Sequence, residues 1–141
     1  MSTFLLEIIT PDRVVFSDQV EMVTATSVMG TIGILPQHVP LFSKLVQGEV
    51  KISKDNKDFF LAIGGGFIEV TKDKTYILVT EAYRAEEINE QEILKARKRA
   101  EEAIQDKSNL MTLSEAQSIF RRSEIALKVL HRHRSSRNMQ V

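Results

Sequence analysis

GEVKISKDNKDFFLAI, residues 48–63, alternates apolar and polar side chains on both sides of a polar break. Val50 and Ile52 precede Lys54-Asp55-Asn56-Lys57, and Phe59, Leu61 and Ile63 follow it. In an extended chain, successive side chains point to opposite faces, so these five residues make one apolar face shared by the two arms of a β-hairpin. The same pattern extends outward. TFLLEIIT stops at Pro11-Asp12, RVVF at Ser17-Asp18 and VEMVTATSV at Met29-Gly30, while TYILVT closes the series. Turn signals spaced by about eight to twelve residues predict a β-sandwich or barrel rather than alternating strands and helices. Gly64, Gly65 and Gly66 lie between the strand-like FFLAI and FIEVT with no GK[ST] after them, so they read as a bulge or close strand crossing and not as a phosphate loop.

After Tyr83 the periodicity changes. Ala, Glu, Lys, Arg and Gln dominate, and neither glycine nor proline occurs from residue 67 onward. Asn89 with Glu92 forms a capping-box signature, and Ile88 with Ile93 a hydrophobic staple, which starts a helix near Glu90. Its packed stripe is Ile93, Ala96, Ala100, Ala103 and Ile104. QDKSNLMT interrupts the helix, and Thr112 with Glu115 repeats the cap. Leu113, Ala116, Phe120, Leu127 and Leu130 then mark a second helix, expected to fray by Ser135 into a disordered basic tail, RHRSSRNMQV. The predicted fold class is α+β: an all-β sandwich over residues 1–84 and an antiparallel two-helix hairpin over residues 85–141. Alanines on the first helix bury little area per side chain, so the hairpin should be detachable.

Length and composition narrow the function. With 141 residues and 43% hydrophobic content, the chain can bury a real core. No apolar run approaches the ~18–20 residues that span a bilayer, and MSTFLLEIITPD lacks signal-peptide features, so the protein is expected to stay in the compartment where it is made. Without cysteine, disulfides and thiolate chemistry are excluded. Formal charge is zero overall but uneven: Arg121, Arg122, Lys128, Arg132, Arg134 and Arg137 face only Glu124 in residues 119–141. Such a basic segment suits an acidic protein surface, nucleic acid or lipid headgroups, or serves as a solvated face.

No catalytic constellation emerges. His38 has no Ser–Asp partner pattern, and His131 and His133 fall on different helix faces, which argues against a metal site. Glu86, Glu87, Glu90 and Glu92 suit the positive end of a helix dipole.

GTIGILPQHVPL, residues 30–41, is uncharged and holds two glycines, two prolines and a histidine. With GGFIEV at 65–70 and an Ala/Arg-rich helical hairpin, it closely resembles the epsilon-subunit family of bacterial F-type ATP synthases over essentially the whole chain. Gly30, Gly33, Leu35-Pro36, His38 and Pro40-Leu41 carry the family pattern. The resemblance implies a non-catalytic rotor subunit of a proton-translocating enzyme, peripheral on the cytoplasmic face of the bacterial membrane and held there only through the complex. Its sandwich would grip the gamma subunit and rest on the c-subunit ring, and its helices would inhibit ATP hydrolysis. Thr31 and its neighbours Gly30, Ile32 and Gly33 would then face the c ring, with His38, Leu41 and Phe42 toward gamma and Pro36 and Pro40 in the same partner-binding surface. Prolines fix backbone angles in such a segment, so little ordering entropy remains to be lost on binding.

Arg121, Arg122, Lys128 and Arg132 form the stripe expected to meet acidic surface on the alpha/beta catalytic hexamer. Some relatives bind ATP on the hairpin through Ile/Leu-Asp-x-x-Arg-Ala; here Asn89 and Glu92 stand at the acidic and arginine positions, and Val129 and His133 where basic groups are expected. Arg99 remains, but a glutamate facing phosphate repels it, so no cofactor is expected. The alternative is a nucleic-acid-binding module using the basic helix. Against it, residues 121–141 hold no aromatic other than histidine on which bases would stack.

Overall fold

A computed structural model describes residues 2–105 and 111–139. Among these, ten strands come first: β1 Phe4–Ile9, β2 Val14–Val20, β3 Met22–Ser27, β4 Gly30–Ile34, β5 Leu41–Leu45, β6 Gly48–Lys54, β7 Lys57–Ile63, β8 Gly66–Val70, β9 Lys74–Val79 and β10 Ala82–Arg84. A 3-10 turn, Ala85–Glu87, leads into α1, Glu90–Gln105, and α2, Leu113–Met139.

The strands pair in the order β10-β7-β6-β3-β5-β8-β9-β1-β2, with β4 also on β3. Between β3 and β5 the path narrows to one residue pair, Ser27 with Leu45, and there the sheet turns back on itself. Val50, Ile52, Leu61 and Ile63 on one side of that junction share a single core with Leu6, Ile8, Ile68 and Ile77 on the other. None of the eight is more than 2% exposed. Branched aliphatic side chains fill both inner faces, and a two-layer sandwich results.

The β6–β7 hairpin has the predicted register, with Val50 opposite Leu61 and Ile52 opposite Phe59. It closes through Asp55 and Asn56 at φ 52° and 61°, the left-handed pair whose twist suits a two-residue hairpin. Phe59, nearest the turn, is exposed. The other face of β7 is covered too, since Phe60 and Ala62 are buried against α2. A continuous FFLAI run, apolar on both faces, fits a strand with a partner on each side. Gly66 marks a close crossing, because a Cβ there would lie 2.0 Å from the Leu78 carbonyl oxygen.

Several boundaries move. β2 runs straight through Ser17-Asp18 because it is the last strand in the order, where outward polar side chains meet water and Asp18 pairs with Lys54. TYILVT does not end the sheet, since β10 adds to β7 beyond it. Residues 30–34, the first part of the uncharged Gly/Pro-containing segment, form a strand on β3. Only residues 35–40 turn freely between β4 and β5.

Both helix caps form. Asn89 Oδ1 accepts the Glu92 N–H at 3.2 Å. Thr112 and Glu115 exchange both bonds of the capping box, at 3.1 and 3.4 Å. The pairs Arg97–Glu124 and Arg134–Glu90, both at 2.8 Å, rise along one helix as they fall along the other, so the hairpin is antiparallel. The buried stripe of α2 differs from the expected one: Leu113 is exposed, while Ser123, Ala126 and Val129 are buried. This helix faces α1 on one side and β7 on the other, which widens its buried arc. Fraying by Ser135 and a disordered tail are also overturned, since α2 continues to Met139. Arg132, His133 and Arg134 meet Glu49, Glu86 and Glu90, which anchors the last turns. Residues 140 and 141, the end of that tail, lie outside the described residues.

Candidate functional site

The uncharged segment is preformed. At the β3–β4 turn the Ser27 hydroxyl donates to the Gly30 carbonyl at 2.7 Å and accepts the Met29 N–H at 3.1 Å. Gly30 sits at φ 116°, with nothing near the place of a Cβ. The turn thereby lifts Met29 into solvent at 90% exposure. Leu35-Pro36-Gln37-His38 forms a second turn, in which the His38 N–H donates to the Leu35 carbonyl at 3.2 Å and Gln37 takes φ 64°. Proline at the second position and positive φ at the third are the type II pattern. His38 Nδ1 donates to the Val39 carbonyl at 2.6 Å, which assigns the ring proton to Nδ1 because a carbonyl only accepts.

Ile32 and Leu41 pack inward against the core, whereas Phe42 is 66% exposed. Phe42 stacks on Phe67 at 5.4 Å between ring centroids, and the β8–β9 register sets Leu78 beside Phe67. Phe42, Phe67 and Leu78 thus make an exposed apolar strip across β5, β8 and β9. Phe67 and Leu78 lie outside the segment of residues 30–42 expected to bind partners. Their signal is strand parity: in FIEV and TYILV the inward residues are Ile68, Val70 and Ile77, which turns Phe67 and Leu78 outward, where large apolar side chains mark contact surfaces.

Thr31 and Gly33 are exposed on β4, and Pro36 and Pro40 bracket the turn. Thr31 also lines a polar cleft with Thr24, Thr26, Glu49, Lys51, Lys128 and Arg132, so it faces the C-terminal helix as well as the β3–β4 end of the sandwich. The basic stripe divides. Arg122 pairs with Glu81 at 3.0 Å and Arg132 pairs with Glu49, both across to the sandwich. Arg121 and Lys128 are exposed and enter no ion pair among the described residues. The apolar contact between hairpin and sandwich centres on Val129 against Phe60, Ala62 and Ala85, with Ile88 and Ile125 packed beside it.

A cleft of about 330 Å³ opens between the helices and β10, lined by Glu81, Glu87, Asn89, Glu92, Arg122 and Ser123 over an apolar floor. Val129 and His133 do not line it. Val129 is fully buried in the contact with β7, and His133 faces Glu86 at 3.8 Å. Glu87 is held below the usual carboxylate value, chiefly by its hydrogen bond from Arg13, whose guanidinium meets both oxygens at 2.7 and 3.1 Å. Among the described residues no group of three or more histidines, aspartates or glutamates is placed to hold a metal, and no helix is long and apolar enough to cross a membrane.

The sandwich thus closes its own core, displays a preformed loop and an exposed apolar strip, and carries a two-helix hairpin packed on β7. The description "ATP synthase, Delta/Epsilon chain, beta-sandwich domain" matches residues 3–85. An ATP synthase epsilon chain of Herpetosiphon aurantiacus is 43% identical over 124 residues, covering 88% of this chain and 91% of the relative. Another, from Dehalococcoides mccartyi, is 38% identical over 135 residues, covering 95% and 96%. The chain belongs to the ATP synthase epsilon chain family. Its fold is also shared with a chain in the Euglena gracilis mitochondrial ATP synthase OSCP/F1/c-ring structure, at TM-score 0.65 and 23% identity, covering 93% of this chain and 79% of that one. A chain of the Tetrahymena thermophila mitochondrial ATP synthase central stalk and c ring matches at TM-score 0.58 and 18% identity, covering 92% and 97%.

Proposed function

We propose that the protein is a non-catalytic rotor subunit of a proton-translocating F-type ATP synthase at the cytoplasmic face of a bacterial membrane. Its sandwich would couple gamma to the c ring, and its hairpin would restrain ATP hydrolysis on the alpha/beta hexamer. The Phe42–Phe67–Leu78 strip carries this reading. Its apolar area lies on a sandwich whose own core is already closed, so a partner has to cover it. Stiff turns at residues 27–30 and 35–38 keep the neighbouring surface in shape for that contact, at little entropic cost on binding. Replacing Phe42 and Phe67 together by Asp should weaken gamma binding by about tenfold or more while the thermal unfolding of the sandwich stays near wild type. Unchanged gamma affinity would sink the assignment of this face.

ATP sensing at the hairpin cleft is not part of the proposal. The cleft presents Glu81, Glu87 and Glu92 against one arginine, Arg122, already paired with Glu81. Triphosphate would meet net negative charge there. Calorimetry with MgATP should detect no micromolar site. The nucleic-acid alternative gains nothing from the geometry, since Arg122 and Arg132 bond carboxylates of the same chain.

A further inference from the structure

Arg132 lies between two residues of the sandwich. Its guanidinium bonds Glu49 Oε1 on β6 and sits over the Phe60 ring of β7, 5.0 Å from the centroid. Glu49 is the most enclosed carboxylate in the ion pairs of the described residues, with its side chain 11% exposed, whereas Arg132 is 44% exposed. Its second oxygen, Oε2, is buried with no hydrogen-bond partner. Docking of α2 therefore removes a carboxylate from water and satisfies only one of its oxygens, through a single arginine.

We infer that Glu49 and Arg132 form a conditional latch, in which the docked hairpin and the inhibitory contact compete for one arginine side chain. This rests on the proposed inhibitory role of the helices. A buried charge stripped of its partner is strongly unfavourable, while the same charge is harmless once water reaches it. If an acidic partner surface captures Arg132, Glu49 is left unpaired beneath α2 and drives the helix off the sandwich. Capture and release become one event. The remaining attachment is Val129 on Phe60, Ala62 and Ala85 with Ile88 and Ile125 beside it, the Arg122–Glu81 pair and the contact of His133 with Glu86, and none of these places a further buried carboxylate under α2. A half-satisfied carboxylate keeps the latch weak, so that a competing surface can open it.

Charge reversal separates the two roles of the arginine. The chain has no cysteine, so Lys57→Cys and Ser135→Cys provide exposed dye positions, one on β7 and one on α2, that report docking by energy transfer in the full-length protein. Hydrolysis is read in the reconstituted complex. Glu49→Arg should lower the docked-to-undocked ratio about tenfold or more and deepen inhibition, because Arg132 is freed intact. Arg132→Glu should undock the hairpin equally but relieve inhibition. The double exchange, Glu49→Arg with Arg132→Glu, should restore docking without restoring inhibition. If Glu49→Arg leaves the docked population unchanged, or the double exchange fails to restore it, the latch is wrong. If docking responds as expected while hydrolysis is the same in all variants, the latch stands and the inhibitory role of the helices is what fails.

Discussion

The sandwich and the hairpin bury their side chains in opposite ways. Inside the sandwich, leucines, isoleucines and valines from both layers join one cluster at nearly zero exposure. Between hairpin and sandwich the buried apolar contact is Val129 on Phe60, Ala62 and Ala85 with Ile88 and Ile125 packed beside it, flanked by the Arg122–Glu81 and Arg132–Glu49 pairs, whose arginines reach solvent. Large branched side chains interlocked without gaps are costly to separate. Small side chains rimmed by charges separate readily, because water and counterions replace most of what is lost. One chain thus holds a part locked by its own core and a part held on by a far smaller contact, which suits the division between coupling and release proposed above.

Cutting into each region should expose the contrast, and the sandwich should respond most. Ile77→Ala, at the centre of β9, should cost about 3–4 kcal/mol by denaturant unfolding, since it leaves a cavity that the two layers cannot close. A loss under 1 kcal/mol would mean the core is looser than its burial implies. Val129→Ala should cost about 1–2 kcal/mol, and only in docking. Amide hydrogen exchange should show faster exchange in α2 with unchanged protection in β6 to β9. Slowed or uniformly accelerated exchange would show that the two regions unfold as one.

The smallest effect sharpens the boundary between the regions. Arg13 clamps Glu87 in the 3-10 turn, and Arg84 bonds the Val15 carbonyl, so the chain is tied to the β1–β2 end of the sandwich up to residue 87. If the hairpin leaves the sandwich as proposed above, the chain pivots at Ile88-Asn89, ahead of α1. The folded pKa of Glu87 is depressed, so this clamp contributes stability above the unfolded carboxylate value, about 4.3, and loses it as pH falls through the folded value. Arg13→Ala should lower the thermal midpoint slightly at neutral pH, and the two proteins should converge once the pH has fallen through the folded pKa of Glu87. A difference that persists in acid would assign the effect to packing of the Arg13 stem.

What was legible in the sequence was local. The Asp55-Asn56 hairpin, the Asn89 and Thr112 caps and the change of period after Tyr83 all depend on residues a few positions apart. β4 was hidden because its glycines and the prolines that follow imitate a loop, while its strand character comes from pairing with β3. Phe67 and Leu78 are marked in the sequence only by strand parity, which turns them outward opposite Ile68 and Ile77. The partners of the basic stripe were out of reach: Arg132 finds Glu49 across 83 positions, and nothing in either segment names the other. The persistence of α2 to Met139 was lost for the same reason, since the carboxylates that hold it lie on β6, the 3-10 turn and α1.

Division of labour between the two regions is the central claim, and removal of one of them is its most direct test. A chain ending at Arg84 retains every strand, the loop at residues 35–40 and the Phe42–Phe67–Leu78 strip. Gamma affinity and steady-state ATP hydrolysis should be measured with the full chain and with this fragment in the reconstituted complex. The account predicts equal gamma affinity within about threefold, under about 0.7 kcal/mol, together with faster hydrolysis in the complex carrying the fragment. A fragment that folds, by its unfolding transition, but no longer binds gamma would contradict the account.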